Sequence, residues 1–219
     1  MQPVFPPRSN LIARLSLLVI PLVLAIVVGA AVWYTHSPAF NKVGVEVPQP
    51  VEFQHSWHVG VVRLDCRYCH YSVDKSSFAS VPPTETCMSC HSVIRTDSPK
   101  LQPVRDSWET GVPIAWNRVN NTPDYVYFDH QSHVINGVGC ETCHGRMDQV
   151  GGAVKAETLY MAWCIDCHRD PGQYLRPVEQ VYTMGYTPSE DQKALGARLV
   201  EEYEIASSFQ LMNCSTCHR

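Results

Sequence analysis

The apolar residues of this chain are distributed in two ways. One block, LSLLVIPLVLAIVVGAAVWY at residues 15–34, contains no charged side chain and has the length of about 20 residues that a helix needs to cross bilayer hydrocarbon. Beyond it no long apolar run recurs. Apolar side chains are scattered among prolines, histidines and cysteines, and recover a period only near the C-terminus. There TPSE at 187–190 reads as an N-cap, a proline at the first helical position and a capping-box glutamate. Leu195, Leu199, Tyr203 and Ala206 follow at helical spacing, which predicts a helix running to about Phe209 whose stripe packs on a cofactor or a neighbour. The rest predicts short helices and much loop, including the proline-rich stretch 92–126 with Trp108 and Trp116.

The first block fits a secretory signal, with Arg8 and Arg14 ahead of it and Gly29, Ala30 and Ala31 within it. Its length, and the aromatic pair Trp33 and Tyr34 that closes it, favour an uncleaved transmembrane anchor. Arg8 and Arg14 precede the helix, and the first charge after it is Lys42. The positive-inside rule then keeps 1–14 in the cytoplasm and exports 35–219 to the outer, periplasmic face of a bacterial cytoplasmic membrane. A net charge of -4 with no basic run argues against nucleic acid as a partner.

All ten cysteines fall in C-x-x-C pairs, and every pair is followed directly by histidine: CRYCH (Cys66, Cys69, His70), CMSCH (Cys87, Cys90, His91), CETCH (Cys140, Cys143, His144), CIDCH (Cys164, Cys167, His168) and CSTCH (Cys214, Cys217, His218). This is the attachment pattern of c-type haem, in which two thiols form thioethers to the vinyl groups and the adjacent imidazole is the proximal ligand of the iron. Disulfides or paired-cysteine zinc sites would use the same thiols, but neither explains five histidines in one relative place. Five covalent haems account for every cysteine. The roughly 185 residues after the apolar block give about 37 per haem, too few for a sizeable protein core. The fold class expected is therefore a mostly α and irregular multihaem cytochrome c, with a haem-packed core, short helices at the haem motifs, little regular secondary structure and one N-terminal transmembrane helix.

Of the other five histidines, four lie in matching motifs, FQHSWH at 53–58 and FDHQSH at 128–133, each shortly before a haem motif. His55, His58, His130 and His133 read as distal axial ligands. The motifs reveal a duplication: His55 and His58 stand at one and the same offset from His130 and His133, and Cys66 to Cys140 and Cys87 to Cys164 depart from that offset by no more than two positions. Repeat one covers about 53–91 and repeat two about 128–168, with the fifth haem motif outside both at 214–218. Four distal histidines serve five irons, so one ligand is missing. His36 is the spare histidine, but its place beside the apolar block reads as an interfacial polar residue. Among the methionines, Met1 is remote and Met88 lies inside a haem-binding loop, leaving Met147, Met161, Met184 and Met212; Met161 is the first choice and Met212 the next.

F-x-H-x-x-H followed by C-x-x-C-H resembles the class III multihaem cytochromes and their three-haem relatives. That resemblance implies pairing of His55 with His70, His58 with His91, His130 with His144 and His133 with His168, with Met161 opposite His218. The anchor, the five motifs and the strings VPIAWNRVNNTPDYVYFDHQSH and YMAWCIDCHR are similar, over nearly the whole chain, to the pentahaem subunit of bacterial alternative complex III. This implies four bis-His irons and one His/Met iron in a membrane quinol:electron-acceptor oxidoreductase. Its integral-membrane and iron-sulfur subunits hold the quinol site, and its acceptor is a soluble cytochrome, a copper protein or a terminal oxidase.

From the residues themselves, irons capped on both faces leave no substrate site, so the chain is expected to transfer electrons rather than catalyse a reaction of its own. Two alternatives stand beside this reading. One is a membrane-anchored tetrahaem-type quinol dehydrogenase, a group whose first haem motif usually follows the membrane helix closely, whereas here a long segment carrying the first distal pair separates Tyr34 from Cys66. The other is a multihaem reductase whose fifth iron is open.

Overall fold

A computed structural model describes residues 5–218, which fall into two units, one ending at Lys42 and one beginning at Val43. The first is dominated by the helix Ser9–His36, 28 residues or about 42 Å at 1.5 Å per residue. It starts ahead of the apolar block and ends just after it. Pro38 stops it, because proline supplies no N–H and its ring clashes with the preceding turn. Apolar side chains cover the helix on all sides and none of its residues is buried. Its length, and a mean hydropathy of 2.9 over an 18-residue window within it, suit a membrane span, and an N-terminal signal sequence meets the same criteria.

The second unit is helical and irregular; among the described residues it has isolated β-bridges and no strand. Each C-x-x-C-H motif forms or ends a short helix: Cys66–Cys69, Thr84–His91, Cys140–His144, Met161–Arg169 and Cys214–Cys217. Polar residues just ahead start several of these turns. Asp65 accepts from the Arg67 N–H, and Asn213 accepts from the Ser215 N–H. One helical turn sets the two cysteines of a motif three apart on one face. The stretch 92–126, expected as loop, contains the helix Gln102–Thr110, which buries Val104 and Ser107 against Thr84–His91 through a 2.7 Å hydrogen bond between Thr84 and Ser107.

The two repeats pack on each other reciprocally. The first distal motif forms the π-helical turn Ser56–Val61, whose Ser56 N–H donates to the Val150 carbonyl at 3.1 Å. The second forms the helix His130–Val134, whose Gln131 N–H donates to the Ser76 carbonyl at 3.2 Å. Gln131 is the counterpart of Ser56 under the duplication, and Val150 is the counterpart of Ser76 to within one position, so these are the same bond made in both directions. Equivalent residues also meet each other: the thiols of Cys66 and Cys140 lie side by side. A pair of elements joined by mutual, equivalent contacts is related by an approximate two-fold axis, as in an isologous dimer. Protein core is small. One cluster joins Val73, Val134 and Val181; the other joins Leu175, Leu195 and Leu199.

The C-terminal helix departs from its sequence signals. It spans Gln192–Glu202, capped by the Asp191 carboxylate on the Ala194 N–H, and it ends before Glu204, whose φ of 51° breaks it. TPSE does not start it, because the chain just upstream is held elsewhere: the Gly185 and Tyr186 N–H groups donate to the Glu141 carboxylate at 2.5 and 3.2 Å. A capping box does occur, at Ser207 and Gln210, starting the separate helix Ser208–Leu211. The stripe packs on the chain's own Leu175: Leu195 and Leu199 are buried and Tyr203 is half-buried, while Ala206 lies past the helix, exposed.

Gly196 explains how that helix comes so close. A Cβ there would collide with the backbone of Gly172, and a Cβ on Gly172 would press on Gly196, so two glycines allow backbone to lie on backbone. Gly196→Ala is expected to destabilise the holoprotein by about 1–3 kcal/mol through overpacking. Thermal denaturation should show a lower Tm, with no such change for Lys193→Ala on the exposed face of the same helix.

Candidate functional site

The distal motifs hold their histidines in the same way in both repeats. In the first, Phe53 meets His55 edge-on, with centroids 4.8 Å apart and planes at 85°, and stacks on His58 at 4.4 Å and 21°. In the second, Phe128 meets His130 at 4.8 Å and 90° and stacks on His133 at 4.6 Å and 27°. The phenylalanine that opens each motif is thus a wedge that orients two imidazoles. Its recurrence was the signal in the sequence. The second histidine of each motif donates its Nδ1–H to the carbonyl four residues back, His58 to Gln54 at 2.9 Å and His133 to Asp129 at 2.7 Å.

Three distal rings face a proximal ring. His58 and His91 have centroids 6.2 Å apart, His130 and His144 6.4 Å, and His133 and His168 6.1 Å, with interplanar angles of 69°, 5° and 31°. With metal–nitrogen bonds of about 2 Å and about 1.1 Å from nitrogen to ring centre, two imidazoles on opposite sides of one ion stand about 6 Å apart. Each pair therefore has room for one metal ion. His55 lies near His70, His58 and His144, and burial followed by these neighbours pushes its pKa down to about 4. Burial, with His130 and His70 nearby, likewise pushes His144 down to about 4. Both are neutral at pH 7 and carry a lone pair.

Nδ1 lies on a backbone carbonyl oxygen in seven of the nine motif histidines: His58, His133, His70 on Ser80 at 2.7 Å, His91 on Ile94 at 3.1 Å, His130 on Ser77 at 2.8 Å, His168 on Leu211 at 3.0 Å and His218 on Tyr125 at 3.2 Å. An acceptor at Nδ1 fixes the proton there and leaves Nε2 free to ligate. No three His, Cys, Asp or Glu side chains converge on one metal-sized space among the described residues. The ligand geometry is that of opposed pairs, which suits a flat macrocycle between two imidazoles better than a tetrahedral ion. Burial and neighbouring thiols push Cys143 up to about 12, and burial pushes Cys167 up to about 11. All ten cysteines are free of disulfides.

The five motifs stand in a row that is not their order in the chain. Motifs one and two meet where Tyr68 Oη lies 2.9 Å from Ser89 Oγ and Cys69 lies beside Cys87 and Cys90. Motifs one and three meet at Cys66 and Cys140. The helix His130–Val134 faces motif three with His130 and motif four with His133, and Cys143 lies beside Cys164 and Cys167. Motif four meets motif five, with Cys164 beside Cys217 and the helix Met161–Arg169 packed on Ser208–Leu211. The order is second, first, third, fourth, fifth. Cys90 and Cys214, one from each end of this row, are the two exposed cysteines.

Met161 begins the helix Met161–Arg169, one turn before Cys164, with its side chain 64% exposed. Met88, Met147, Met184 and Met212 are half-buried, and Met1 lies outside the described residues. Met161 is thus no core filler. His36 ends the long helix with Nδ1 2.9 Å from the Val32 carbonyl oxygen. Glu141, inside CETCH, had no part in the sequence reading: it accepts from buried Arg176 at 2.9 Å and from two backbone N–H groups, and so clamps motif three to residues 176–186.

Comparison with known proteins now bears on this geometry. The family described as class III cytochrome C matches residues 31–110, and cytochrome c7 and related cytochrome c matches residues 126–219. Two stretches of the chain are thus each similar to a multihaem cytochrome c family. The two matches take in the two repeats that the structure packs together, and these families imply covalently bound haem c. The chain is also 34% identical over 97 residues to the menaquinone reductase multihaem cytochrome c subunit of Nitratidesulfovibrio vulgaris, a match that covers 44% of this chain and 45% of that protein.

Because Arg176 is buried, removing its partner charge leaves a cation in a poor solvent. Glu141→Gln, which keeps size and shape, is expected to cost about 3–5 kcal/mol. Denaturant unfolding of the holoprotein should show a clear drop in midpoint; an unchanged midpoint would mean that the clamp is idle.

Proposed function

We propose that this chain is the membrane-anchored, five-haem electron-transferring subunit of a bacterial quinone-linked oxidoreductase of the alternative complex III kind. The observation that carries this is the single row of five motifs with three pairs of imidazoles opposed across it. Cys66/Cys69, Cys87/Cys90, Cys140/Cys143, Cys164/Cys167 and Cys214/Cys217 attach the groups. His70, His91, His144, His168 and His218 are the proximal ligands, His55, His58, His130 and His133 the distal ones, and Met161 the fifth distal ligand. Met161 lies on the face of its helix that carries Cys164, the cysteine beside Cys217.

When bound, each haem c supplies an iron that alternates between Fe(III) and Fe(II), one electron at a time. The chain's own work is positional. The phenylalanine wedges and Nδ1 acceptors hold imidazoles on both faces of four of the sites and exclude other ligands there. The reciprocal contact of the repeats brings the first and third sites together, which makes one path of two pairs. The exposed ends, at Cys90 and Cys214, are where partners exchange electrons with it. The helix Ser9–His36 anchors the chain with its N-terminus in the cytoplasm, which leaves the haem unit on the periplasmic side, where c-type haem is attached.

The relative's name supports a quinone-linked assembly. Such a row conducts either way, so the potentials of the partners set the direction. The alternative complex III resemblance favours flow from a quinol, through integral-membrane and iron-sulfur subunits, to a soluble cytochrome, copper protein or oxidase. The test is purification of the tagged chain from detergent-solubilised membranes. It should bring down integral-membrane and iron-sulfur subunits and be reduced by added quinol; a chain that elutes alone and stays oxidised contradicts the proposal. Carbon monoxide separates a path from a reductase: the reduced wild-type protein should be inert, and Met161→Ala should gain one binding site. Rapid binding to the wild type would favour the open-haem reading instead.

A further inference from the structure

The two central proximal histidines occupy equivalent places in the repeats, yet they are supported differently. His70 Nδ1 lies 2.7 Å from the Ser80 backbone oxygen. The counterpart of Ser80 in the second repeat, Val154, is bridged to Glu46 and does not serve His144. A side chain from between the repeats takes its place. Asn120 Nδ2 lies 3.2 Å from His144 Nδ1, while Asn120 Oδ1 is buried without a hydrogen-bond partner.

That arrangement has a chemical consequence. If the Asn120 amide donates, His144 Nδ1 must hold the lone pair and Nε2 the proton, and a protonated Nε2 cannot ligate a metal ion. Half a turn of the amide exchanges its oxygen and nitrogen and changes almost nothing else in the packing. Oδ1 then accepts from Nδ1–H, the relation that seven other motif histidines make with backbone carbonyls. We propose that Asn120 is the positioning residue of the third haem site: its side-chain carbonyl fixes the His144 tautomer and sets how strongly His144 Nε2 donates to the iron. This rests on His144 being a proximal ligand. His144 is the one motif histidine whose Nδ1 contact is a replaceable side chain, so the pseudo-symmetric pair of central sites can be tuned apart through it. An acceptor on Nδ1–H makes Nε2 more basic, which favours Fe(III) and lowers the potential.

The experiment uses the full chain in its native assembly, with Asn120→Leu to delete the acceptor and Asn120→Asp to strengthen it. Intact mass counts the attached haems and spectroelectrochemical titration follows their midpoints. With five haems retained, one midpoint should rise in the leucine variant and the same one should fall in the aspartate variant, the other four moving little. Unchanged midpoints in both variants would overturn the role of Asn120. If the leucine variant fails to fold, the aspartate variant, which keeps size and shape, decides by the same shift. A wild-type chain carrying fewer than five haems, or lacking one at Cys140 and Cys143, would instead overturn the underlying reading of the site.

Discussion

The proposed assembly depends on one constraint: a flat group fastened to a short turn by two cysteines needs a second ligand from somewhere else to close its other face. No helix of this chain can close a site alone. Each distal histidine therefore ties one segment to another, and chain topology follows from those ties. The reciprocal bonds from Ser56 to Val150 and from Gln131 to Ser76 show how far this goes. Each repeat lends its distal turn to the segment after the other's first haem motif, so neither repeat is complete by itself. Where the two meet, Cys66 and Cys140 touch across the approximate two-fold axis, and a duplication becomes a continuous row.

Energetically the polypeptide contributes little conventional core. Two small clusters, around Val181 and Leu199, cannot offset the conformational entropy of the long ordered segment from Val43 onward. What the protein adds is local and polar: carbonyls on imidazole Nδ1 atoms, phenylalanine against paired rings, and a carboxylate at Glu141 that collects one guanidinium and two backbone N–H groups. Such contacts direct ligands more than they stabilise the fold, and they leave cofactor burial as the main cohesive term.

Much of this was legible in the sequence because haem attachment leaves a fixed spacing that no packing argument can disguise. The ten cysteines and the paired F-x-H-x-x-H motifs sufficed to foresee the short helices, the loops and the duplication. The rings of His58 and His91, His130 and His144, and His133 and His168 stand 6.1–6.4 Å apart, and their pairing as ligands of one iron each is part of the proposal. The illegible parts depend on contacts distant in sequence. TPSE at 187–190 satisfies every local rule for a helix start and fails because Glu141, far earlier in the chain, holds the neighbouring N–H groups. The helix Gln102–Thr110 was hidden by Pro103, which sits in its first turn, where it does no harm. The spatial order of the motifs could not be read from linear spacing, since first and third meet only through the two-fold relation of the repeats.

The claim on which this account turns is that five porphyrins lie in the order second, first, third, fourth, fifth. An experimental structure of the haem-loaded protein, by electron cryo-microscopy of its native assembly, tests it most directly. The account predicts adjacent porphyrins on Cys66/Cys69 and Cys140/Cys143 at the centre of a continuous row ending at His91 and His218. Porphyrins arranged in sequence order, or first and third sites too far apart for direct transfer, would contradict it.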